Sequence, residues 1–264
     1  MSMRGAMSDG GRAGYARGMV TQVVAALRTA VVVPVFFSLT LRLAALVTLI
    51  SLVREDAPVI ERIIRVWSRL FLLAAGVRLE IVGRDRVDAS GQYVFMANHL
   101  SNLDIPVMFL TAPVPIRYLA KKEVYKIPFV ATAMRRIGIV RVDRTGGSSI
   151  HSEVNAGVAA AKARGHSLII FPEGTRSPTG DMQEFKKGAF RIAIGHGLPV
   201  VPVTIEGTWK VWPPGSKLLF PGRARAVIHE LIPTEGTEPS DIDGLRDRVR
   251  EIIGESYERL RSGT

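Results

Sequence analysis

The chain has 264 residues, 47% of them hydrophobic, enough for a substantial core in one or two domains. Lys and Arg number 35 against 24 Asp and Glu, and the formal charge of +11 calls for a polyanionic partner: nucleic acid, an anionic membrane or a phosphorylated substrate. The lack of cysteine excludes thiol nucleophiles, thiolate metal sites and disulfides, and five histidines with no close pair at ligand spacing indicate no metal site.

Residues 1–18 are rich in Gly, Ser and Arg and read as a disordered terminus, with Met1, Met3, Met7 and Met19 all available as starts. Two charge-free blocks follow, residues 29–41 and 43–53, separated by Arg42. Each would be roughly 16–20 Å long as helix, against a hydrocarbon core of ~30 Å. Pro34 adds a kink or a helix start. The expectation is a re-entrant or interfacial helical pair, with a single span carrying Arg42 at its middle as the alternative. No small-residue cleavage site ends the apolar region, which argues against a cleaved signal peptide.

Val59, Ile60, Ile63, Ile64, Trp67, Leu70, Phe71 and Ala74 recur at three- and four-residue steps and predict an amphipathic helix stopped at Gly76. Its Arg62, Arg65 and Arg69 suit a solvated face or a membrane surface. Residues 19–76 are accordingly read as membrane-associated helices, and 77–264 as one α/β domain without an internal linker.

In that domain strands are expected at 77–81, 92–97, 115–120, 137–142, 168–171, 200–205 and 224–231, with helices at 150–164 and 185–196. A last helix, from Ile242 to Leu260, is expected to be capped by Ser240. The alternation predicts a sheet with helices on both faces. Pro202 inside its strand marks an edge or a bulge, so the sheet need not be purely parallel.

Four segments carry chemistry. In Asn98-His99-Leu100-Ser101-Asn102-Leu103-Asp104, a histidine stands five residues before an aspartate at a strand-to-helix turn. His99 in the turn can accept a proton, and Asp104, folding back from the helix, can orient it. Taken alone, the pair could equally cap a helix. Gly138 to Arg144 brings cations to a strand end. Phe171-Pro172-Glu173-Gly174-Thr175-Arg176-Ser177 follows another strand and offers close backbone approach, hydroxyls and a guanidinium fork for phosphate. Taken alone, it could also be an ordinary strand-ending turn. Val200 to Ile205 has no titratable group and can only shape a wall. Lys121 and Lys122 add charge after a further strand. His151, His166 and His196 read as exposed polar residues, and His229 as a satisfied structural one. No serine elbow, P-loop or dinucleotide fingerprint is present.

In order and spacing these segments resemble the blocks of the glycerolipid acyltransferases, specifically the bacterial 1-acylglycerol-3-phosphate acyltransferases. The resemblance covers about 110 residues and implies a central mixed, largely parallel sheet flanked by helices, preceded by an N-terminal membrane-associated segment. It puts His99 and Asp104 on the catalytic pair. Glu173, Gly174 and Arg176 fall on its acceptor-phosphate site and Arg144 on its usual basic position, and the hydroxyl of Thr175 and the charge of Lys121 join them as candidate substrate-binding residues. Leu100 is a mild departure, since that position is often small or polar in the family.

The implied reaction moves an acyl group from acyl-CoA or acyl-carrier protein to the hydroxyl of a lysophospholipid acceptor, with no cofactor. Its place would be the cytoplasmic face of the cell membrane, at an anionic surface. Backbone amides near the helix start are candidates for the oxyanion donors. Glycerol 3-phosphate or a lyso-aminolipid as acceptor stays open, as does a basic membrane-binding protein without catalysis. With only 7% aromatic residues, nucleic acid is not expected as a partner.

Overall fold

The computed structural model describes residues 9–127, 129–142 and 149–263. Helix α1 (Asp9–Val53) is continuous, which overturns the expected helical pair and begins inside the segment read as disordered. Pro34 removes one backbone donor without ending the helix, and Arg42 is exposed. An apolar helix tolerates one such loss, and a long cationic side chain can extend to the polar boundary. The stretch Thr21–Val53 has 33 residues, and an 18-residue window within it has a mean hydropathy of 2.2 and is 17% buried. At about 50 Å it is long and apolar enough to cross a membrane. Phe36 stacks on Phe71 of α2 (Pro58–Ala74) with ring centroids 4.4 Å apart, and Trp67 Nε1 donates to Thr40 Oγ1 at 3.0 Å.

The remaining elements in chain order are β1 (Val77–Val82), β2 (Val94–Ala97), α3 (Asp104–Thr111), β3 (Ile116–Lys121), α4 (Val130–Arg136), β4 (Val140–Val142), α5 (Ser149–Ala163), β5 (Ser167–Ile170), α6 (Gly188–Gly195), β6 (Val200–Glu206), α7 (Thr208–Val211), β7 (Gly222–Ile228) and α8 (Ile242–Ser262). Among the described residues the seven strands form one sheet in the order β1-β7-β6-β2-β5-β3-β4. It is parallel except between β6 and β7.

Side-chain alternation divides the core. Phe95, Ile169, Val201, Val203 and Ile205 face one apolar cluster with α2 and α3, while Val94, Met96, Leu168 and Val200 face a second with α5, α6 and α8. Covered on both faces, β2 and β5 are buried throughout.

Three local expectations change. β4 is three residues long, because α4 and its Gly138 turn occupy the chain before it. Ser240 does not cap α8; the residue before that helix is Asp241, inside a short 3₁₀ turn, with no side-chain cap bond. Pro202 lies on an internal strand, not an edge. Val203 pairs with Ile228 and Val200 with Ile232, so three steps on β6 face four on the partner chain. That one-residue bulge accommodates the missing N–H.

Candidate active site

β2 runs between β5 and β6, all three parallel, so the turns after them meet at one edge of the sheet. Asn98 anchors the first turn: its Nδ2 donates to Ile205 O, and Ile205 N donates to its Oδ1, both at 2.8 Å. His99 follows, with its ring stacked on Phe171 at 3.9 Å and 7°.

His99 Nδ1 lies 2.7 Å from Asp104 Oδ2. The same oxygen accepts Leu100 N at 2.7 Å and Ser101 N at 2.8 Å, while Oδ1 accepts Thr208 Oγ1 at 2.6 Å. Asp104 is fully buried and charge-assisted on both oxygens. It bonds the turn ahead of α3 and not the helix amides, so the pair is no helix cap. With Nδ1 engaged as donor to the carboxylate, Nε2 is left to accept a proton. The side chain of His99 is 16% exposed, which gives that nitrogen access.

Both ends of α3 are fixed. Asp104 occupies its first turn, where a carboxylate suits the helix dipole. At the other end Arg65 Nη2 donates to Ala112 O at 3.1 Å, and Arg84 donates to Thr111 O at 3.2 Å and to Leu110 O. Part of the cationic side of α2 therefore satisfies helix-end carbonyls.

Thr208 was not anticipated. Gly207 puts it there: with φ +90°, a Cβ on Gly207 would come within 2.1 Å of Arg223 O, so only glycine allows this approach. The position after a parallel strand was the available signal.

Glu173, expected among the substrate-binding residues, is 2% exposed and faces inward. Its Oε1 accepts His99 N at 2.8 Å, and its Oε2 accepts Gln183 N and Nε2, each at 3.1 Å. Burial pushes the Glu173 carboxyl up to about 7, against the pull of these donors. The amides of His99, Leu100 and Ser101 are thereby engaged by Glu173 and Asp104. Ser177 N donates to His99 O at 2.8 Å and ties the third segment to the first.

Arg176 is half-buried, and its Nη1 donates to Asn102 Oδ1 at 2.8 Å, which brings a guanidinium beside the His99 turn. Gly174 and Thr175 lie in the same turn, Thr175 exposed. Lys121 ends β3, but its side chain is outside the described residues, as is all of Arg144. His166, expected to be exposed, is buried. His229 is satisfied as expected, with Nε2 2.8 Å from Thr204 Oγ1.

The family model described as Acyltransferase matches residues 78–206, the stretch that holds this edge. The chain is 32% identical over 181 residues to 1-acyl-sn-glycerol-3-phosphate acyltransferase alpha of Ovis aries, covering 67% of this chain and 62% of that protein. To its Mus musculus counterpart it is 32% identical over 193 residues, covering 70% and 67%. Among solved structures, the 1-acyl-sn-glycerophosphate (LPA) acyltransferase PlsC of Thermotoga maritima superposes with a TM-score of 0.76 at 25% identity. That match covers 93% of this chain and 98% of the other.

Proposed function

This chain belongs to the acyltransferase family, and from that premise we propose that it transfers a fatty acyl group from acyl-CoA or acyl-carrier protein to the free hydroxyl of 1-acylglycerol 3-phosphate, making phosphatidic acid. The observation that carries the reading is His99, held through Nδ1 by a buried Asp104 beside the guanidinium of Arg176.

In this mechanism His99 Nε2 takes the proton of the acceptor hydroxyl as its oxygen attacks the thioester carbonyl. The C–S bond then breaks, and the imidazolium returns the proton to the leaving thiolate. Asp104 stabilises the imidazolium and fixes the tautomer. Arg176 binds the acceptor phosphate, with Arg144 and Lys121 as further cations, while Gly174 and Thr175 let the headgroup approach the turn. Glu173 acts indirectly, by holding the His99 backbone. Attack on a thioester is favourable by itself, so the proposed chemistry calls on no cofactor and no metal.

The enzyme works at the cytoplasmic face of the cell membrane, where acyl donors are made. Helix α1 lies in the bilayer, and the positive charge faces an anionic surface, with no nucleic acid involved. The test is a panel of acceptors offered to the purified chain with one labelled acyl-CoA. The reading requires 1-acylglycerol 3-phosphate to be acylated at least tenfold better, by kcat/KM, than glycerol 3-phosphate or a lyso-aminolipid. A preference for either of those would replace the acceptor assigned here.

A further inference from the structure

A cavity of about 500 Å³ opens beside the start of β1, lined among others by Arg28, Leu73, Gly76, Arg78, Gly222 and Arg223. β1 and β7 run antiparallel to β2, β5 and β6, so it lies at the same sheet edge as His99. Three strand spacings separate β1 from β2, about 14 Å.

We propose that Arg28, Arg78 and Arg223 form a second phosphate site, distinct from the Arg176 turn, that holds the phosphate head of a membrane phospholipid.

The charge pattern is the first argument. Arg78 and Arg223 stand directly opposite one another in the β1–β7 register. Like charges in that relation repel and destabilise a sheet. Two residues on, the same face carries the opposite arrangement, Glu80 against Arg225, paired at 3.0 Å. Among the described residues no carboxylate forms an ion pair with Arg28, Arg78 or Arg223. An anion between them converts the repulsion into paired, charge-assisted bonds.

Arg28 supplies the second argument. It interrupts the apolar run of α1, and its guanidinium lies over Gly76, where a Cβ would meet Nη1 at 2.5 Å. The φ of +72° at Gly76 independently demands glycine. The guanidinium also faces the C-terminal end of α2, a favourable place for a cation. That accounts for Arg28 alone and leaves the Arg78–Arg223 rung unexplained.

The surroundings point to a lipid and not to free phosphate. Leu73 is 70% exposed beside the arginines, and Leu27 and Val24 on α1 are 66% and 57% exposed. These give acyl chains an apolar surface next to a cationic floor.

The probes are dihexanoylphosphatidic acid, which is soluble, and inorganic phosphate, titrated calorimetrically into the full chain. Wild type is expected to bind two equivalents of the short-chain lipid. Arg78→Gln/Arg223→Gln and Arg176→Gln should each lose a different one. Arg191→Gln/Arg250→Gln, which removes equal charge from exposed positions on α6 and α8, should keep both. Inorganic phosphate should bind the Arg78–Arg223 site at least tenfold more weakly. If the double variant proves unstable, Arg78→Gln alone should weaken that equivalent about tenfold. Retention of both equivalents by Arg78→Gln/Arg223→Gln overturns the site, and equal affinity for inorganic phosphate overturns its lipid source. Failure of the acceptor assignment has a different signature, one equivalent in wild type and none in Arg78→Gln/Arg223→Gln.

Discussion

His99 and His166 each sit against charged neighbours in turns flanking the same sheet, yet the fold prepares them for opposite purposes. His99 meets a carboxylate at Nδ1 and opens its other nitrogen outward. His166 is buried and receives Arg117 Nη2 on Nε2 at 2.9 Å, while its Nδ1 has no partner among the described residues. Burial, then Arg117 and Arg164, push the His166 imidazole down to about 4, so it stays neutral at ordinary pH. Around it, Arg117 bonds Glu61 Oε1 at 2.6 Å and Arg164 bonds Asp56 Oδ1 at 2.7 Å. These contacts tie α2 and the turn before it to β3 and the turn between α5 and β5. An imidazole becomes a base through a carboxylate partner and access, not through proximity to charge.

The widest separation should come from removing each ring. His99→Ala should reduce acyl transfer by about 10²–10⁴-fold, the usual worth of a general base, while His166→Ala changes kcat less than threefold. Steady-state rates normalised to folded protein check this, and comparable losses in both variants would erase the distinction.

Next in size is the structural network itself. Arg117 is 2% exposed, and burial pulls its guanidinium down while Glu61 partly offsets this. Arg117→Met strands Glu61 and should cost about 3–5 kcal/mol of stability, with activity per folded molecule retained. Denaturant titration beside the activity assay separates the two effects.

Arg176→Ala should weaken acceptor binding by ~1.5–3 kcal/mol, the worth of a charge-assisted bond. The acceptor KM should rise about 10- to 100-fold with the donor KM nearly constant. A rise in the donor KM would assign this turn to the phosphates of coenzyme A.

The last effect is a slope spread over several pH units. The fold raises Glu173 to about 7 from its ordinary 4.5. Its contribution to stability is then fully present below about pH 4.5 and fades as pH rises through about 7. Urea midpoints across that range should show the decline, and Glu173→Gln should flatten it.

What the sequence disclosed was local. The His99 and Phe171 turns each lie within seven residues, so their chemistry could be read from spacing and strand-end position. The supporting bonds are long-range: Asp104 to Thr208, Asn98 to Ile205 and Arg117 to Glu61 join residues 104, 107 and 56 apart. No pattern within one element announces them. Glu173 shows the same gap, since its nearest-neighbour motif suggests a phosphate turn, whereas the fold turns its carboxylate towards the His99 amide and Gln183. Arg42 and Pro34 misled in the other direction, as local breaking signals outweighed by a long apolar helix. The seven strands were all anticipated, but the internal place of β6 required the pairing itself.

The central claim is that His99 activates the acceptor directly, with no acyl group ever attached to the protein. Rapid-quench single turnover with labelled acyl-CoA and 1-acylglycerol 3-phosphate tests it. The account predicts that free coenzyme A and phosphatidic acid appear together, one for one, in wild type and at least 100-fold more slowly in His99→Ala. Release of coenzyme A ahead of phosphatidic acid, with label retained on the protein, would contradict it.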